Sequence, residues 1–408
     1  MKGEKGTIVI GPFVSVFGGA EVVKLHVAEF FLERGWRVVL AGLARDNFVK
    51  ILNLLENNKL GKLKVYSLLD HFPEALGLYQ PVIGFKAVER AVEELSPEAV
   101  FVDYEGSRRI SELWRRKKFK LIKYIHFPQS LHLFVRKIPE VIPLEYLRDI
   151  RGYFERYEKS LLWKIYFTTY TELLERTLPY NPAEGDLLLV NSRYIGKLVE
   201  NLFNVEPIVL YPPVNIAELR SNAWRPFGER DNAVIMIGRI SPEKKYDEVI
   251  NAISQLSSHT TLRIAGSLTR AGRVYLEKLL RLARENRVNL EVYPNVPRGL
   301  LADLLGRSKI FIHATRGEHF GIAIVEAMAT GLPVIVHKSG GQFYDIIDKG
   351  THGLYYENIN ELTKILDSLL TNENLWNKYR ELSIKRSSDF SIEVFEKRLE
   401  DLVRDIGI

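Results

Sequence analysis

Residues 317–333 read GEHFGIAIVEAMATGLP, and this stretch decides how the rest of the chain is interpreted. The apolar run at 310–313 before it is typical of a buried strand, while 321–330 has the pattern of a helix. The sequence therefore predicts a strand-to-helix turn with Glu318 at its lip and Glu326 one to two turns into the helix. Free amides at a helix start favour a diphosphate, and carboxylates accept hydrogen bonds from hydroxyl groups. Spacing alone leaves open a capping Glu318 and a solvated Glu326.

Short β-branched runs alternate with longer amphipathic stretches on both sides of this turn, which is typical of α/β units around parallel sheets. Predicted strands cover 7–11, 37–42, 63–66, 99–103, 121–125, 187–190, 233–237, 262–265, 290–293, 310–313 and 333–336. Predicted helices cover 20–34, 85–95, 195–203, 246–256, 270–286, 300–306, 321–330 and 392–406. A long, mostly helical insertion at about 130–180 interrupts the alternation.

The paired prolines of Tyr211-Pro212-Pro213-Val214 predict an extended connection between two domains. We therefore expect an α/β fold with two doubly wound, Rossmann-like domains that face each other across a cleft. The first covers 1–213, including the insertion, and the second covers 214–390. The remaining residues, 391–408, are expected to form a helix that can pack back on the first domain.

The amino-acid composition excludes several classes of protein and of site. The chain has 408 residues, of which 46% are hydrophobic and 26% charged, the balance of a soluble globular protein rather than a disordered one. There is no cysteine, which excludes disulfides, thiolate metal sites and a cysteine nucleophile. No run of 18 apolar residues and no signal-peptide pattern is present, so we expect a cytoplasmic protein. The scarcity of thermolabile side chains favours a thermophilic source.

Three further sites follow predicted strands. Arg239 and Lys244 lie directly after an apolar strand and could clamp a diphosphate, although a solvated basic turn has the same pattern. Gly18 and Gly19 would let the backbone approach a ligand closely, or form a tight turn without one. His126 could position a hydroxyl group or take its proton, or serve the packing alone.

Several common catalytic motifs are missing from the sequence. No Asp-x-Asp motif occurs, so a metal-dependent diphosphate site has no obvious ligands. No Gly-x-Gly-x-x-Gly fingerprint follows the first strand, which argues against NAD binding. No His-Glu-x-x-His or Gly-x-Ser-x-Gly occurs either, which disfavours zinc proteases and serine hydrolases.

In this order and at these spacings, the elements resemble the retaining glycosyltransferases of family 4, which have the two-domain GT-B fold, over nearly the whole chain. The matching residues are the Glu-x7-Glu pair Glu318 and Glu326, the diphosphate-binding Arg239 and Lys244, the glycine loop Gly18 and Gly19, and the acceptor-side His126. The resemblance implies an acceptor-binding first domain, a nucleotide-sugar-binding second domain and a leaving group stabilised without a metal.

Five segments are similar to one branch of that family, the lipid-linked-oligosaccharide mannosyltransferases of N-glycan assembly, which use GDP-mannose. They are Tyr124–Pro128, Asn191-Ser192, Tyr211–Val214, Glu318–Ile322 and His337–Gly341. His319, between Glu318 and Phe320, is the most telling residue. Lys245 and the Gln342-Phe343-Tyr344 segment depart from the family's common pattern and bear on the preference for sugar and base.

The resemblance also implies a role for each site residue. Arg239 and Lys244 would bind the diphosphate and stabilise its developing charge, and Glu326 would bind the ribose. Glu318 would contact the hexose hydroxyls, with backbone groups at Phe320, Gly321 and Ile322 assisting at the donor. Gly18, Gly19 and His126 would line the acceptor side, with His126 orienting the hydroxyl while a phosphate oxygen takes its proton. The donor is a substrate, GDP- or UDP-linked, and no cofactor or metal is expected.

A basic run and an aromatic insertion bear on the acceptor. The run comprises Arg108, Arg109, Arg115, Arg116, Lys117, Lys118, Lys120 and Lys123, and the aromatics are Phe134, Tyr153, Phe154, Trp163, Tyr166 and Phe167. They predict either a peripheral face for an anionic membrane or a solvated helix beside a partly buried insertion. No nucleic-acid recognition motif accompanies the basic run.

Other functions remain open on the sequence alone. One is a glucosyl- or N-acetylglucosaminyltransferase that uses a UDP-sugar, and another is a soluble disaccharide synthase. Sugar-nucleotide epimerisation would use the same donor site without an acceptor. The non-enzymatic alternative is a sugar-nucleotide-binding scaffold subunit.

Overall fold

The computed structural model describes residues 5–14, 18–48, 63–137, 142, 146–147, 160–223 and 225–408. These residues divide into two compact units. The first unit takes in the described residues up to 213 together with 395–408, and the second takes in 214–394. The division falls directly after the paired prolines, and the chain returns to the first unit near its last helix.

The first unit is built on a parallel sheet flanked by helices. Its strands are β1 (Thr7–Phe13), β2 (Arg37–Ala44), β3 (Leu63–Leu69), β4 (Ala99–Asp103), β5 (Lys120–Ile125), β6 (Leu187–Val190) and β7 (Ile208–Val209), in the spatial order β3-β2-β1-β4-β5-β6-β7. Its helices are α1 (Gly19–Glu33), α2 (Gln80–Leu95), α3 (Arg108–Lys117), α4 (Leu131–Lys137), α5 (Leu161–Thr177) and α6 (Arg193–Phe203). The strand order reverses between β1 and β4, where parallel sheets bind ligands at their carboxyl edge.

The second unit repeats this architecture. Its strands are β8 (Ala233–Ile237), β9 (Thr261–Gly266), β10 (Asn289–Pro294), β11 (Ile310–His313), β12 (Val334–His337) and β13 (Leu354–Tyr356), in the order β10-β9-β8-β11-β12-β13. Its helices are α7 (Ile216–Ala223), α8 (Tyr246–Ile253), α9 (Arg270–Glu285), α10 (Arg298–Arg307), α11 (Ile322–Ala329), α12 (Ile359–Thr371) and α13 (Glu373–Ser387). The order reverses between β8 and β11, and the loops after these two strands carry Lys244 and Glu318.

The last helix, α14 (Ile392–Asp405), joins the core of the first unit. Phe395, Leu399, Leu402 and Val403 are buried in the same apolar cluster as residues of β1 and α1. Their spacing of three to four residues puts them on one face of the helix, so that face seals the first unit.

The two parallel sheets confirm the predicted α/β class. Central strands such as β4 and β8 are apolar, apart from Asp103 at the end of β4, because helices cover both faces of a parallel sheet. The predicted helix at 321–330 begins only at Ile322, since Gly321 has a φ of +109° that a helix does not accept. The predicted strand at 333–336 begins at Val334 rather than Pro333.

The described part of the insertion at 130–180 contains α4 and α5. Buried residues on α5, including Phe167, Tyr170 and Leu174, pack with Tyr79 and Val82 in an aromatic cluster. Tyr153 and Phe154 lie outside the described residues.

Candidate functional site

Glu318 lies in the loop between β11 and α11 and is held by two side chains from different elements. Lys244 Nζ, in the loop after β8, is 3.0 Å from Glu318 Oε2. His313 Nε2, at the last residue of β11, is 2.9 Å from the same oxygen. The loops that follow the two neighbouring strands β8 and β11 are therefore joined through one carboxylate.

The electrostatics of this group keep Glu318 charged. Burial alone would raise the pKa of Glu318, but Lys244 and the hydrogen bond from His313 hold it well below its usual value. Burial lowers the pKa of His313, and the nearby Lys244 lowers it further, so the ring is neutral. A neutral ring that donates to the carboxylate must carry its hydrogen on Nε2. Glu318 is thus an ionised acceptor beside a cation.

The Glu318 loop is fixed from the other side by the turn after β12. Gly341 N donates to Glu318 O at 2.7 Å, and Gly317 N donates to Ser339 Oγ at 3.0 Å. A Cβ on Gly340, which has a φ of +71°, would lie 2.4 Å from Glu318 O. The turn therefore approaches the Glu318 backbone more closely than any other residue type would allow.

Helix α11 begins directly after the loop that carries Glu318. Gly321 is its N-cap, and its carbonyl oxygen accepts from Ile324 N at 2.9 Å. The first amides of a helix, here those of Ile322 and Ala323, have no carbonyl partner one turn earlier in the helix. The side chain of Phe320 is buried and packs edge-on against Phe390, with ring centroids 5.4 Å apart. Any contact between Phe320 and a donor is therefore confined to its backbone, in line with the expectation for Gly321 and Ile322.

Glu326, on α11, is buried and paired with a residue that the sequence did not single out. Arg298 Nη1, at the start of α10, lies 2.5 Å from Glu326 Oε1, and Arg298 Nε lies 3.4 Å from Glu218 Oε2. Burial would lower the pKa of Arg298, but Glu326 and Glu218 outweigh it and raise the pKa. Arg298 therefore fixes the orientation of the Glu326 carboxylate.

Arg239 lies at the carboxyl end of β8 and is exposed. Across the described ranges, no carboxylate forms an ion pair with it, in contrast to Lys244. The turn is closed by Tyr246, whose hydroxyl donates to the carbonyl oxygens of Gly238 and Arg239 at 3.1 and 3.2 Å. The guanidinium of Arg239 is thus available for an anion at this edge of the sheet.

In the first unit, His126 lies at the end of a chain of ionisable side chains. His126 Nε2 lies 3.3 Å from Asp103 Oδ1, and Lys24 Nζ forms ion pairs with Asp103 and with Glu21, the latter at 3.2 Å. Burial alone would lower the pKa of Lys24, but the two carboxylates raise it above its usual value. Lys24 and Asp103, which the sequence reasoning missed, therefore form a buried ion pair beside the histidine.

Gly18 and Gly19 lie just before Glu21 and Lys24 in the sequence. Gly18 is the N-cap of α1, which begins at Gly19, and Gly18 N donates to Glu21 Oε2 at 3.3 Å. Residues 15–17, in the loop before the pair, lie outside the described ranges. Glu21 therefore connects the start of α1 with Lys24.

Within the second unit, the structure brings Lys244 and Glu318 into direct contact and places Glu326 on the helix that Gly321 starts. Gly18, Gly19 and His126 lie in the first unit. Sequence reasoning missed His313 as a partner of Glu318. One feature of the sequence could have indicated it, because His313 is the polar last residue of an apolar strand. In the described part of the chain, no group of three or more His, Asp or Glu side chains is arranged to hold a metal ion.

Comparisons with known proteins match the second unit to a family. Residues 222–386 match the model of the family "Glycosyl transferases group 1". A Candida glabrata protein named GDP-Man:Man(3)GlcNAc(2)-PP-Dol alpha-1,2-mannosyltransferase is 28% identical over 46% of this chain and 38% of its own length. The Caenorhabditis elegans protein of the same name is 23% identical over 82% of this chain and 74% of its own length. This chain spans less than half the length of the first relatives that it matches.

Solved structures share the fold over nearly the whole chain. Anabaena HepE in complex with UDP and glucose has a TM-score of 0.68 at 16% identity and covers 98% of this chain and 100% of its own. Sucrose-phosphate synthase from Thermosynechococcus elongatus has a TM-score of 0.69 at 14% identity, with 98% of each chain covered. Residues 222–386 of the second unit are therefore similar to the glycosyl transferases group 1 family, and the chain has the GT-B fold.

Proposed function

We propose that this protein is a retaining mannosyltransferase that moves mannose from GDP-mannose onto a lipid-linked oligosaccharide. The observation that carries the proposal is the ionised Glu318 held by Lys244 and His313, in a unit that is similar to the group 1 glycosyltransferases. The choice of sugar and acceptor is supported by the relatives, which are named for GDP-mannose and a dolichol-diphosphate-linked glycan. We infer that the protein acts in the cytoplasm, at the surface of the membrane that carries the acceptor.

Arg239 and Lys244 are assigned to the diphosphate of the donor. Arg239 has no carboxylate partner within the described ranges, so its guanidinium is available for bidentate binding of phosphate oxygens. Lys244 has three hydrogens on Nζ and can donate to Glu318 and to a phosphate oxygen together. The amides around Gly321 add donors at the start of α11.

Glu326 and Glu318 are assigned to the sugar hydroxyls of the donor. Glu326 is oriented through Oε1 by Arg298, and its carboxylate would accept from the ribose. Glu318 would accept from hydroxyls of the mannose. Its negative charge would repel the diphosphate if it stood alone, and Lys244 between the two offsets that repulsion.

Charge develops on the departing diphosphate as the bond to mannose breaks. Arg239 and Lys244 would stabilise that charge without a metal ion. In a retaining transfer, a phosphate oxygen on the leaving-group face takes the proton of the acceptor hydroxyl. His126, whose Nε2 lies 3.3 Å from Asp103 Oδ1, would orient that hydroxyl rather than act as the base, and Gly18 and Gly19 would line the acceptor side.

The donor assignment is tested by thermal unfolding with GDP, UDP, ADP and dTDP in parallel. A ligand at 100 times its dissociation constant adds about 2.7 kcal/mol to the unfolding free energy, which raises Tm by ~1 °C or more. We expect the largest shift with GDP. Lys244→Ala should abolish most of that shift, while Lys278→Ala, an exposed lysine on α9, should retain it. A larger shift with UDP would contradict GDP-mannose as donor, and no shift with any nucleotide would favour a non-enzymatic scaffold.

A further inference from the structure

The first turn of α5 carries an apolar surface that the described chain leaves uncovered. The side chains of Leu161, Leu162, Trp163 and Ile165 are 73%, 80%, 45% and 56% exposed, and Lys164 among them is exposed as well. Successive helical residues point in directions about 100° apart. Five consecutive exposed residues therefore mean that the whole turn projects from the first unit, rather than one side of it.

The rest of α5 anchors this projecting turn. Phe167, Tyr170 and Leu174 are buried, and the ring of Tyr170 lies 5.5 Å from that of Tyr79, edge-on. At the other end, Ser160 Oγ accepts a hydrogen bond from Trp163 N at 3.3 Å, which caps the helix. The exposed turn, residues 161–165, is thus the capped tip of a helix whose later turns are fixed in the aromatic cluster.

The chemistry of the helix tip fits a bilayer interface. From Leu161 to Thr171 there is no acidic residue, and Lys164 carries the single charge. Leucine and isoleucine enter the acyl region, tryptophan favours the headgroup level, and a lysine among them can extend its ammonium group to the surface. A second copy of the chain fits less well, because a stable dimer buries roughly 800 Å² per partner and four side chains at a tip offer less.

Arg108, the first residue of the basic run, lies away from the helix tip. Arg108 Nη2 donates to the carbonyl oxygen of Glu175 at 3.0 Å, near the other end of α5. At 1.5 Å per residue, the fourteen residues from Leu161 to Glu175 span about 20 Å. Part of the run is also neutralised within the unit, since Arg109 lies 2.7 Å from Glu93. The attraction of the tip to a bilayer is therefore mainly apolar.

We propose that the first turn of α5 inserts into the headgroup and acyl boundary of a membrane and attaches the first unit to it. The proposal rests on the proposed function, because a lipid-linked acceptor is reached at a bilayer surface. It adds that residues 161–165 form the surface that contacts the bilayer, and that the attraction is mainly apolar. Among the described helices, none is both long enough and apolar enough to cross a bilayer.

The test is flotation of the full chain with phosphatidylcholine vesicles at low and high salt. We expect wild type to float at both salt concentrations. Leu161→Gln with Leu162→Gln should weaken vesicle binding at least about tenfold, because two inserted side chains are lost. Val274→Gln with Leu280→Gln is the matched control, since it removes two apolar side chains that are 60% and 38% exposed on helix α9. This control should float as wild type does.

Tryptophan fluorescence gives a second readout of the same contact. Vesicles should shift the emission of wild type to shorter wavelength, because Trp163 leaves water, and Trp163→Phe should lose that shift. Four outcomes would overturn the proposal: no flotation of wild type, equal flotation of the Leu161/Leu162 variant, binding that needs anionic lipid and disappears in salt, or a variant that converts a dimer to a monomer with flotation unchanged. None of these assays uses a nucleotide, so their failure is distinct from failure of the donor assignment.

Discussion

At the scale of single residues, Glu318 is defined by what its carboxylate touches. The ammonium of Lys244 and the ring of His313 share the same oxygen, at 3.0 and 2.9 Å. A carboxylate kept charged in this way binds hydroxyl groups well, while Lys244 remains able to bind phosphate. We therefore assign binding of the sugar to Glu318 and binding of the diphosphate to Lys244.

Replacing Glu318 with alanine should separate these roles. We expect turnover to fall about 100-fold or more, because the mannose loses an acceptor that orients it in the transition state. The dissociation constant for GDP should change less than about threefold, since Lys244 and Arg239 remain. Turnover at saturating donor and GDP binding by calorimetry measure the two quantities. Glu285→Ala, at an exposed glutamate of α9, should change neither, and equal losses in turnover and affinity would contradict the assignment.

His337 supports the same loop through Ser339. His337 Nδ1 lies 2.8 Å from Ser339 Oγ, which in turn accepts from Gly317 N. Burial lowers the pKa of His337 to about 4, and Arg316 and Lys245 add to this effect. The ring is therefore neutral at neutral pH, so that its Nδ1 can accept the hydroxyl hydrogen of Ser339.

The low pKa of His337 predicts how stability depends on pH. The unfolded chain binds a proton near pH 6.5 that the folded chain binds only near pH 4, so stability is complete above about 6.5 and declines below it. Between pH 7.5 and 5, this loss should reach about 2 kcal/mol. The free energy of unfolding is measured in urea at both pH values. We expect its fall between them to be about 2 kcal/mol smaller in His337→Asn than in wild type. His259→Asn, at an exposed histidine, should match wild type, and an unchanged pH dependence in His337→Asn would contradict the prediction.

Sequence reasoning singled out residues of the candidate site but not the side chains that contact them. Glu318 and Lys244 stand out because a carboxylate and a cation follow predicted strands. His313, Arg298 and Lys24 do not, because their importance depends on contacts between residues far apart in the chain. Lys24 lies within an apolar helical pattern, and only burial between Asp103 and Glu21 shows that its charge is paired.

At the scale of elements, the turn after β12 controls where the Glu318 loop can lie. In Gly340→Ala, the positive φ alone costs about 1–3 kcal/mol, and the new Cβ would meet Glu318 O and N at 2.4 and 2.6 Å. We expect Tm to fall and turnover at saturating donor to drop at least about tenfold, because Glu318 must move. Gly407→Ala is a matched control, with a φ of +83° and no atom within 4 Å of the new Cβ. Equal turnover in the two variants would contradict this role.

How accurately each strand or helix was predicted from the sequence depended on how deeply it is buried. The strands at 99–103 and 233–237 were predicted with their bounds because each is a run of four or five apolar residues, which ends at Asp103 in the first strand. Sequence reasoning missed β7 and β13, whose two and three residues at sheet edges are too short to form a pattern. The basic run left a solvated helix as one of two interpretations, and the structure has helix α3 there.

At the scale of the whole molecule, the chain returns to its first unit through α14. Leu399 is fully buried in the core that contains β1, although almost 390 residues separate them along the sequence. We expect Leu399→Ala to lower the unfolding free energy by about 2–5 kcal/mol, as for other leucines in a well-packed core. Val394→Ala, at an exposed position of the same helix, should stay within about 0.5 kcal/mol of wild type. Equal effects in chemical unfolding would mean that α14 does not seal the first unit.

Transfer of mannose to a lipid-linked oligosaccharide tests the central claim most directly. The purified protein is incubated with the acceptor and either GDP-mannose or UDP-glucose, and the glycan product is analysed by mass and by the anomeric configuration of the new bond. We predict that one hexose is added from GDP-mannose with retained configuration, and that Glu318→Ala loses nearly all of this activity. Transfer from UDP-glucose alone, an inverted product or full activity in Glu318→Ala would contradict the account.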